Sequence, residues 1–222
     1  MMNIDFSILL DFRMALFMGL LQTLKLTVIC IILGTALGFV TALARTSKSK
    51  VLFVISTAYV TLFRGTPVLI QLFWIFFCLP LLLGIDISNF VSGLIALTLF
   101  MGAITSETFR ASFNFVGKDQ YDACVALGLP YRTQVMYVVL PQALLRSIPT
   151  LLSNCTSLFK ESALVSTVGI ADLMFVSQNI ANRTGHPVEI LTTAALIYFV
   201  IAFPITRAVT RLETRTLKRL AM

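Results

Sequence analysis

The stretch DQYDACVALGLPYRTQVMYVVLP, Asp119 to Pro141, is the longest water-compatible interval of a sequence that is otherwise mostly apolar. Asp119 is placed to cap a short helix, and Asp122 is placed to reach back to the cap in a capping box. Gly128 is predicted to end this helix, because the residue after a helix often adopts a left-handed conformation that costs glycine nothing.

A second short helix is predicted to follow directly. Pro130 suits its first turn, it runs to about Val139, and Pro141 disfavours its continuation. Two short helices joined at a glycine with an exposed backbone form a compact helix pair that can bind in a groove on another protein. An ordinary helix-turn-helix connection with no partner is the alternative.

Composition places the remainder of the chain in a membrane. The 222 residues are 58% hydrophobic and only 12% charged, with a mean hydropathy of +0.92. These values exclude a soluble domain and allow one bundle of four to six spans. The formal charge of +7 does not indicate nucleic acid, because the basic residues lie at the ends of apolar runs.

The reactive residue types form no recognisable centre. The four cysteines lie far apart, mostly in apolar runs, without metal-ligand or disulfide spacing. The single histidine, His186, stands in a Gly-Pro turn cluster and is interpreted as a loop residue. We therefore expect no metal, no cofactor and no catalytic triad. The N-terminus lacks the features of a cleaved signal peptide.

Hydropathy predicts an all-α integral membrane protein with five spans and three regions. Residues 1–18 form an outer N-terminus with an interfacial entry, residues 19–212 form the transmembrane domain, and residues 213–222 form a basic tail. An interfacial helix is expected at about 51–63. The spans are expected at about 20–43, 68–82, 90–109, 147–167 and 188–208, with the connecting loop at 119–141.

The distribution of basic residues predicts the orientation. With an outside N-terminus, the outer side holds only Arg13 and Arg183. The inner side holds thirteen of the 17 basic residues: Arg45, Lys48, Lys50, Arg64, Arg110, Lys118, Arg132, Arg146, Arg207, Arg211, Arg215, Lys218 and Arg219. By the positive-inside rule, the loop at 119–141 and the C-terminus are cytoplasmic.

The predicted fourth span is too polar to face lipid. Candidate residues for a solute pathway on it are Asn154, Ser157, Lys160, Glu161 and Ser162. A helix of this composition must be enclosed by protein or line a wet cavity. Lys160 and Glu161 are adjacent, so they point about 100° apart and do not simply pair with each other.

Two further positions carry charge near the inner surface. Glu107 and Arg110 are three residues apart on one helix face and are expected to form a local ion pair. Arg64 precedes Gly65, Thr66 and Pro67 at a predicted bend. It is interpreted either as an anchor to lipid phosphates or as a functional residue.

Three motifs resemble ABC-transporter permeases of the importer type. Asp122, Ala123 and Cys124, followed by Gly128 and then by Leu140-Pro141-Gln142, resemble their EAA loop, with Asp122 and Cys124 where the family usually has Glu and Ala. FRGTP at 63–67 with the following Gln71, and KESAL at 160–164, resemble the polar-amino-acid branch of that family. The resemblance covers about residues 23–213.

This resemblance implies a type I importer fold in the bacterial inner membrane. Asp122, Ala123, Gly128, Leu140 and Pro141 would couple the chain to a cytoplasmic ABC ATPase dimer. A second permease subunit, the same or similar, and a periplasmic solute-binding protein would complete the complex. A polar amino acid is the implied substrate, and neither its identity nor homodimer versus heterodimer can be read from the sequence.

Other functions fit the sequence less well. The chain has no G-x4-G-K-[ST] phosphate loop, so energy must come from another subunit. A secondary transporter would need a coupling-ion site and usually inverted repeats, and neither is evident. An ABC permease for a different small solute is the closer alternative.

Overall fold

All regular elements among the described residues of the computed structural model are helices. The structure describes residues 7–220, with the backbone alone for Lys118 and residues 212–220. Sequence expectations for residues 1–6 and 221–222, and for the side chains of Arg215, Lys218 and Arg219, lie outside the described residues. The all-α prediction is confirmed for the described part of the chain.

The helices follow one another with short connections. They are α1 (Ile8–Thr46), α2 (Lys50–Gly65), α3 (Val68–Phe73), α4 (Leu79–Leu83), α5 (Asn89–Phe115), α6 (Lys118–Ala126), α7 (Tyr131–Thr133), α8 (Leu140–Glu161), α9 (Leu173–Thr184) and α10 (Pro187–Leu220). Wider π turns at Trp74–Cys78 and Gln134–Val139 join α3 to α4 and α7 to α8, and a 3₁₀ turn at Ser162–Val168 extends α8.

Four of these helical segments are long and apolar enough to cross a membrane: Ile8–Thr46, Asn89–Phe115, Tyr131–Val168 and Pro187–Arg211. A fifth span results if Lys50–Gly65 and Val68–Leu83, which are bent by 110° at their junction, are taken together. With this pair counted as one span, the number of spans agrees with the predicted five, while the membrane boundaries along each helix stay predictions.

The bend between α2 and α3 is an elbow fixed by hydrogen bonds. Thr66 and Pro67 adopt extended conformations, which interrupts the helix. The Gln71 Nε2 donates to the carbonyl oxygens of Phe63 at 2.7 Å and Thr66 at 2.9 Å. One buried amide therefore satisfies backbone groups that the interrupted helix leaves free.

The core is built on close contact between α1 and α5. A Cβ added at Gly34 would lie 2.6 Å from the Met101 Cβ, and one at Gly38 would lie 2.8 Å from the Gly102 carbonyl oxygen. The Thr105 hydroxyl donates across the interface to the Gly34 carbonyl at 3.2 Å. Gly34 and Gly38 thus form a small-residue packing face on α1, since only glycine permits this approach.

Replacement of Gly38 by alanine is expected to lower the free energy of unfolding by about 1–3 kcal/mol, because the new methyl group meets backbone atoms of α5 that cannot move aside. Chemical unfolding of the detergent-purified chain measures this change. Gly65→Ala is the matched control, because no atom lies within 4 Å of its added Cβ. Equal stabilities of the two variants would show that the α1–α5 contact is not tight.

A second apolar cluster packs the N-terminal part of α1 against α9 and α10, around Leu16, Leu173 and Ile190. Asp172 caps α9 by accepting from the Phe175 N–H at 2.9 Å. Its side chain is buried between spans, and this burial raises its pKa to about 6. The cluster fixes α9 at the end of the bundle opposite to α6.

Candidate functional site

We call α6, residues 127–130 and α7 together the α6–α7 turn. Its first residue differs from the prediction, which had Asp119 as the cap. Gly117 is the N-cap of α6, and no side chain caps this helix. Asp119 lies inside the first turn, so the predicted capping box of Asp119 and Asp122 is wrong. The extended Gly117 places its carbonyl to accept from the Gln120 N–H at 3.1 Å. Asp119 stabilises the helix through its charge near the positive end of the dipole.

The end of α6 follows the prediction. Gly128 has φ +67°, and nothing lies within 4 Å of the position that its Cβ would occupy. Its N–H donates to the Val125 carbonyl at 2.9 Å, and the Leu129 N–H donates to the Cys124 carbonyl at 3.1 Å. These bonds close the helix, and they leave an exposed glycine backbone at the apex of the turn.

The second helix does not end at Pro141, contrary to the sequence prediction. The chain runs from Tyr131 through the π turn at Gln134–Val139 into α8 without interruption. Pro141 lies in the first turn of α8. The wider π turn immediately before it makes room for a ring that lacks an N–H and would clash in a regular helix. α7 is therefore the start of a membrane-spanning helix, and of the two predicted short helices only α6 is a separate one.

One face of α6 packs against the bundle. Tyr121 contacts a small apolar cluster that includes Val116, Val139 and Ala143, and Cys124 is buried. Burial, and secondarily the proximity of Tyr131, raise the pKa of Tyr121. The Gln134 Nε2 donates to the Leu129 carbonyl at 2.7 Å and ties the turn to the following helix. These contacts hold the α6–α7 turn in a defined orientation.

The predicted coupling residues lie on the outside of this arrangement. Asp122, Ala123 and Gly128 are exposed on α6 and at its apex. Pro141 is exposed and Leu140 is partly buried at the start of α8. The structure therefore places three of the five residues on the exposed α6–α7 turn, and the other two in the first turn of α8.

The polar face of α8, comprising Asn154, Ser157, Lys160 and Glu161, is partly open. The Asn154 Nδ2 donates to the Thr108 hydroxyl on α5 at 3.0 Å. Ser157 and Lys160 are exposed, and Glu161 is partly exposed at the last position of α8. The residues of this face thus have different environments, and Asn154 links α8 to α5.

Ser162 lies in a different environment from the other candidate pathway residues. Its side chain is fully buried, and its hydroxyl donates to the Phe159 carbonyl at 2.8 Å. Successive residues of a helix point about 100° apart, so Ser162 faces nearly the opposite way from Lys160, toward the inside of the bundle.

A polar cavity of about 160 Å³ lies between α8 and α10. Lys160 and Ser157 line it from α8, and Thr206 and Thr210 line it from α10. Thr206 and Thr210 were not predicted as site residues from the sequence, although their spacing of four residues places both hydroxyls on one face of a helix. The cavity is large enough for several water molecules beside the ammonium group of Lys160.

Three arginines converge on Glu107 and form, with it, the arginine cluster. The Glu107 carboxylate lies 2.7 Å from the Arg45 Nη1 and 3.5 Å from the Arg64 Nη1, and it also pairs with Arg110. The predicted pair of Glu107 with Arg110 is confirmed. Arg45 and Arg64 were not predicted as partners, because α1 and α2 meet α5 only through the tertiary fold. The cluster ties three helices together at the end of the bundle that bears α6.

Replacement of Glu107 by glutamine is expected to lower the free energy of unfolding by about 1–3 kcal/mol, because Arg45 is left largely buried without its counter-charge. Thermal unfolding in detergent measures this loss. Asp86→Asn removes an exposed carboxylate at the other end of α5 and is expected to change stability little. An unchanged stability of Glu107→Gln would contradict a structural role for the cluster.

Comparison with known proteins identifies clear relatives. The family described as "binding-protein-dependent transport system inner membrane component" matches residues 34–218. The arginine transport system permease protein ArtQ of Bacillus subtilis is 37% identical over 205 residues, which cover 92% of this chain and 94% of ArtQ. The L-cystine transport system permease protein TcyB of Bacillus subtilis is 38% identical over 186 residues, 83% of this chain and 79% of TcyB.

A solved structure shares the whole architecture. It is described as the crystal structure of an amino acid ABC transporter with histidines. Its superposition with this chain has a TM-score of 0.91 at 31% sequence identity, and it covers 96% of this chain and 100% of the other.

Proposed function

Because this chain belongs to the family of binding-protein-dependent transport system inner membrane components, we propose that it is the permease subunit of an importer for a polar amino acid. The chain has the type I importer fold and similarity to amino acid permeases along nearly its full length. One structural observation supports the mechanism: an exposed, glycine-tipped turn leads directly to α7, which is continuous with the helix that bears the polar face.

A separate ATPase supplies the energy in this proposal. An ABC ATPase dimer in the cytoplasm binds the exposed surface formed by Asp122, Ala123 and Gly128. The bare backbone at Gly128 permits close approach of the ATPase. Since α7, the π turn and α8 form one helical segment, a displacement of the turn is transmitted to the polar face. The bundle then alternates between inward-facing and outward-facing states.

Replacement of Ala123 by arginine is expected to reduce co-purification of the ATPase at least about tenfold, because a long charged side chain occupies the docking surface. Quantitative pull-down of the ATPase with the tagged permease measures this. Gln178→Arg adds the same side chain at an exposed position of α9 and is expected to retain the ATPase. Full retention by Ala123→Arg, with normal folding, would contradict docking at this turn.

A second permease subunit, the same or similar, completes the pathway. Ser153, Ser157 and Lys160 are exposed on α8 in this single chain, and lipid cannot solvate them. A neighbour related by a two-fold axis covers this face and encloses a polar passage. A periplasmic solute-binding protein delivers the solute to it. The orientation follows the positive-inside rule, with the N-terminus periplasmic and the C-terminus cytoplasmic.

The polar face offers groups for a zwitterion. Glu161 supplies a carboxylate for the substrate ammonium group, and Lys160 supplies a cation at the next position. The Ser157 hydroxyl and the Asn154 amide oxygen add hydrogen-bonding groups, while the amide nitrogen already donates to Thr108. Arginine and cystine, which the relatives' names mention, are both polar amino acids that carry these two backbone charges.

Replacement of Glu161 by glutamine is expected to lower solute uptake and solute-stimulated ATP hydrolysis about tenfold or more, because one charge-assisted bond to the substrate is lost. Both rates are measured with the complete complex in proteoliposomes. Asp86→Asn, on an outer loop, serves as the control. Unchanged rates for Glu161→Gln would exclude the carboxylate from the pathway.

Two alternatives make different predictions for the same proteoliposomes. A permease for another solute would require ATP and the binding protein but would not carry polar amino acids. A secondary transporter would carry solute along an ion gradient without any ATPase. Uptake measured with and without ATP, over a panel of amino acids, separates these cases.

A further inference from the structure

We propose that an anionic phospholipid binds at the elbow between α2 and α3, with its acyl chain in an apolar groove and its phosphate against the arginine cluster. The elbow groove is a cavity of about 490 Å³ between α2, the α3–α4 segment and α5. Phe63, Trp74 and Leu99 are among its lining residues. Its volume lies in the range of small-molecule sites.

The elbow groove is suited to hydrocarbon. Its rim is formed by large apolar side chains, with Leu62 60%, Ile70 57% and Trp74 50% exposed. The amide nitrogen of Gln71, a polar group of the lining, is already bound to the Phe63 and Thr66 carbonyls. An open groove of this chemistry at membrane depth is filled by an acyl chain, which gains the same contacts as an apolar side chain.

The arginine cluster provides an excess of positive charge beside the groove. Three guanidinium groups share the single carboxylate of Glu107, so the cluster has a formal charge of +2. The side chains of Arg64 and Arg110 are 48% and 35% exposed. One carboxylate cannot accept from all the N–H groups of three guanidinium groups, so the exposed parts of Arg64 and Arg110 retain donors for a phosphate group.

The two features have the spacing of a lipid. Phe63 lines the groove, and Arg64 is the next residue of the same helix. Leu99 lines the groove from α5, and Glu107 lies eight residues further along that helix, about 12 Å away. Glu107 is also about 27 Å from the start of α5 at Asn89, near the edge of a hydrocarbon core roughly 30 Å thick. A phosphate at the cluster thus sits at headgroup depth, and its acyl chain extends into the groove.

Trp74 makes this site directly observable. It is the single tryptophan of the chain and it lines the groove. The full-length permease is reconstituted in phosphatidylcholine vesicles, and part of the lipid is replaced by brominated phosphatidylglycerol or, separately, by the same fraction of brominated phosphatidylcholine. Bromine quenches tryptophan fluorescence on contact. We expect at least about fivefold stronger apparent binding of the anionic lipid.

Two substitutions test the two halves of the site. Arg64→Gln is expected to reduce the preference for the anionic lipid roughly fivefold, while Arg132→Gln, the same change on exposed α7, leaves it intact. Ile70→Phe narrows the groove and is expected to reduce quenching by both lipids. Ile55→Phe, on an exposed part of α2 that does not line the groove, preserves it.

Equal quenching by the two brominated lipids in the unmodified chain would overturn the proposal. A preference that Arg64→Gln leaves unchanged would also overturn it, since the phosphate would then bind elsewhere. Relief of quenching by a free polar amino acid would identify the groove as part of the solute pathway and would contradict a lipid site.

Discussion

The hydrocarbon core of a bilayer provides no hydrogen-bond partners, so every backbone group at that depth must be satisfied by the chain itself. This constraint accounts for the continuity of the helices. Hydroxyl groups inside the bundle donate to carbonyls one turn earlier, as Thr23 does to Gly19 and Thr27 does to Thr23. At the elbow, where the helix does break, the Gln71 amide binds the freed carbonyls. At Pro141 a widened turn keeps the helix intact.

The same constraint links the exposed turn at Gly128 to the polar face. Because the segment from Tyr131 to Glu161 cannot end within the membrane, it spans about 46 Å as one element. The exposed turn at Gly128 lies at one end of this element, and Glu161 lies at the other. The arginine cluster holds α1, α2 and α5 together at the same end as the turn. The segment from Tyr131 to Glu161 can therefore move relative to a rigid group of three helices.

Local chemistry made a large part of this structure predictable. Long apolar runs predicted the spans, because hydrocarbon accepts little else. Gly128 was predictable because its position after a short helix favours a positive φ. Ionic pairing of Glu107 with Arg110 was predictable from their spacing on one helix. The polar composition of α8 also indicated a face that lipid does not cover.

Features that depend on tertiary contact or on irregular turns were not predictable. Pro141 indicated a helix end by its ordinary preference, and the π turn that accommodates it has no sequence signal of its own. Ser162 was grouped with the polar residues of α8 by composition, and its burial depends on which side of α8 the other helices cover. The convergence of Arg45 and Arg64 on Glu107 required knowledge of which helices are neighbours.

The central claim is that the segment from α7 to α8 moves as one rigid element, and a distance measurement across Pro141 tests it most directly. Spin labels are placed at Tyr137 and Ile148, both exposed, in a complex whose permease cysteines have been replaced. A continuous helix places the two sites about 17 Å apart. We expect this distance to be the same in nucleotide-free and ATP-bound complexes. A distance that changes when ATP binds would show a hinge at Pro141 and would contradict the account.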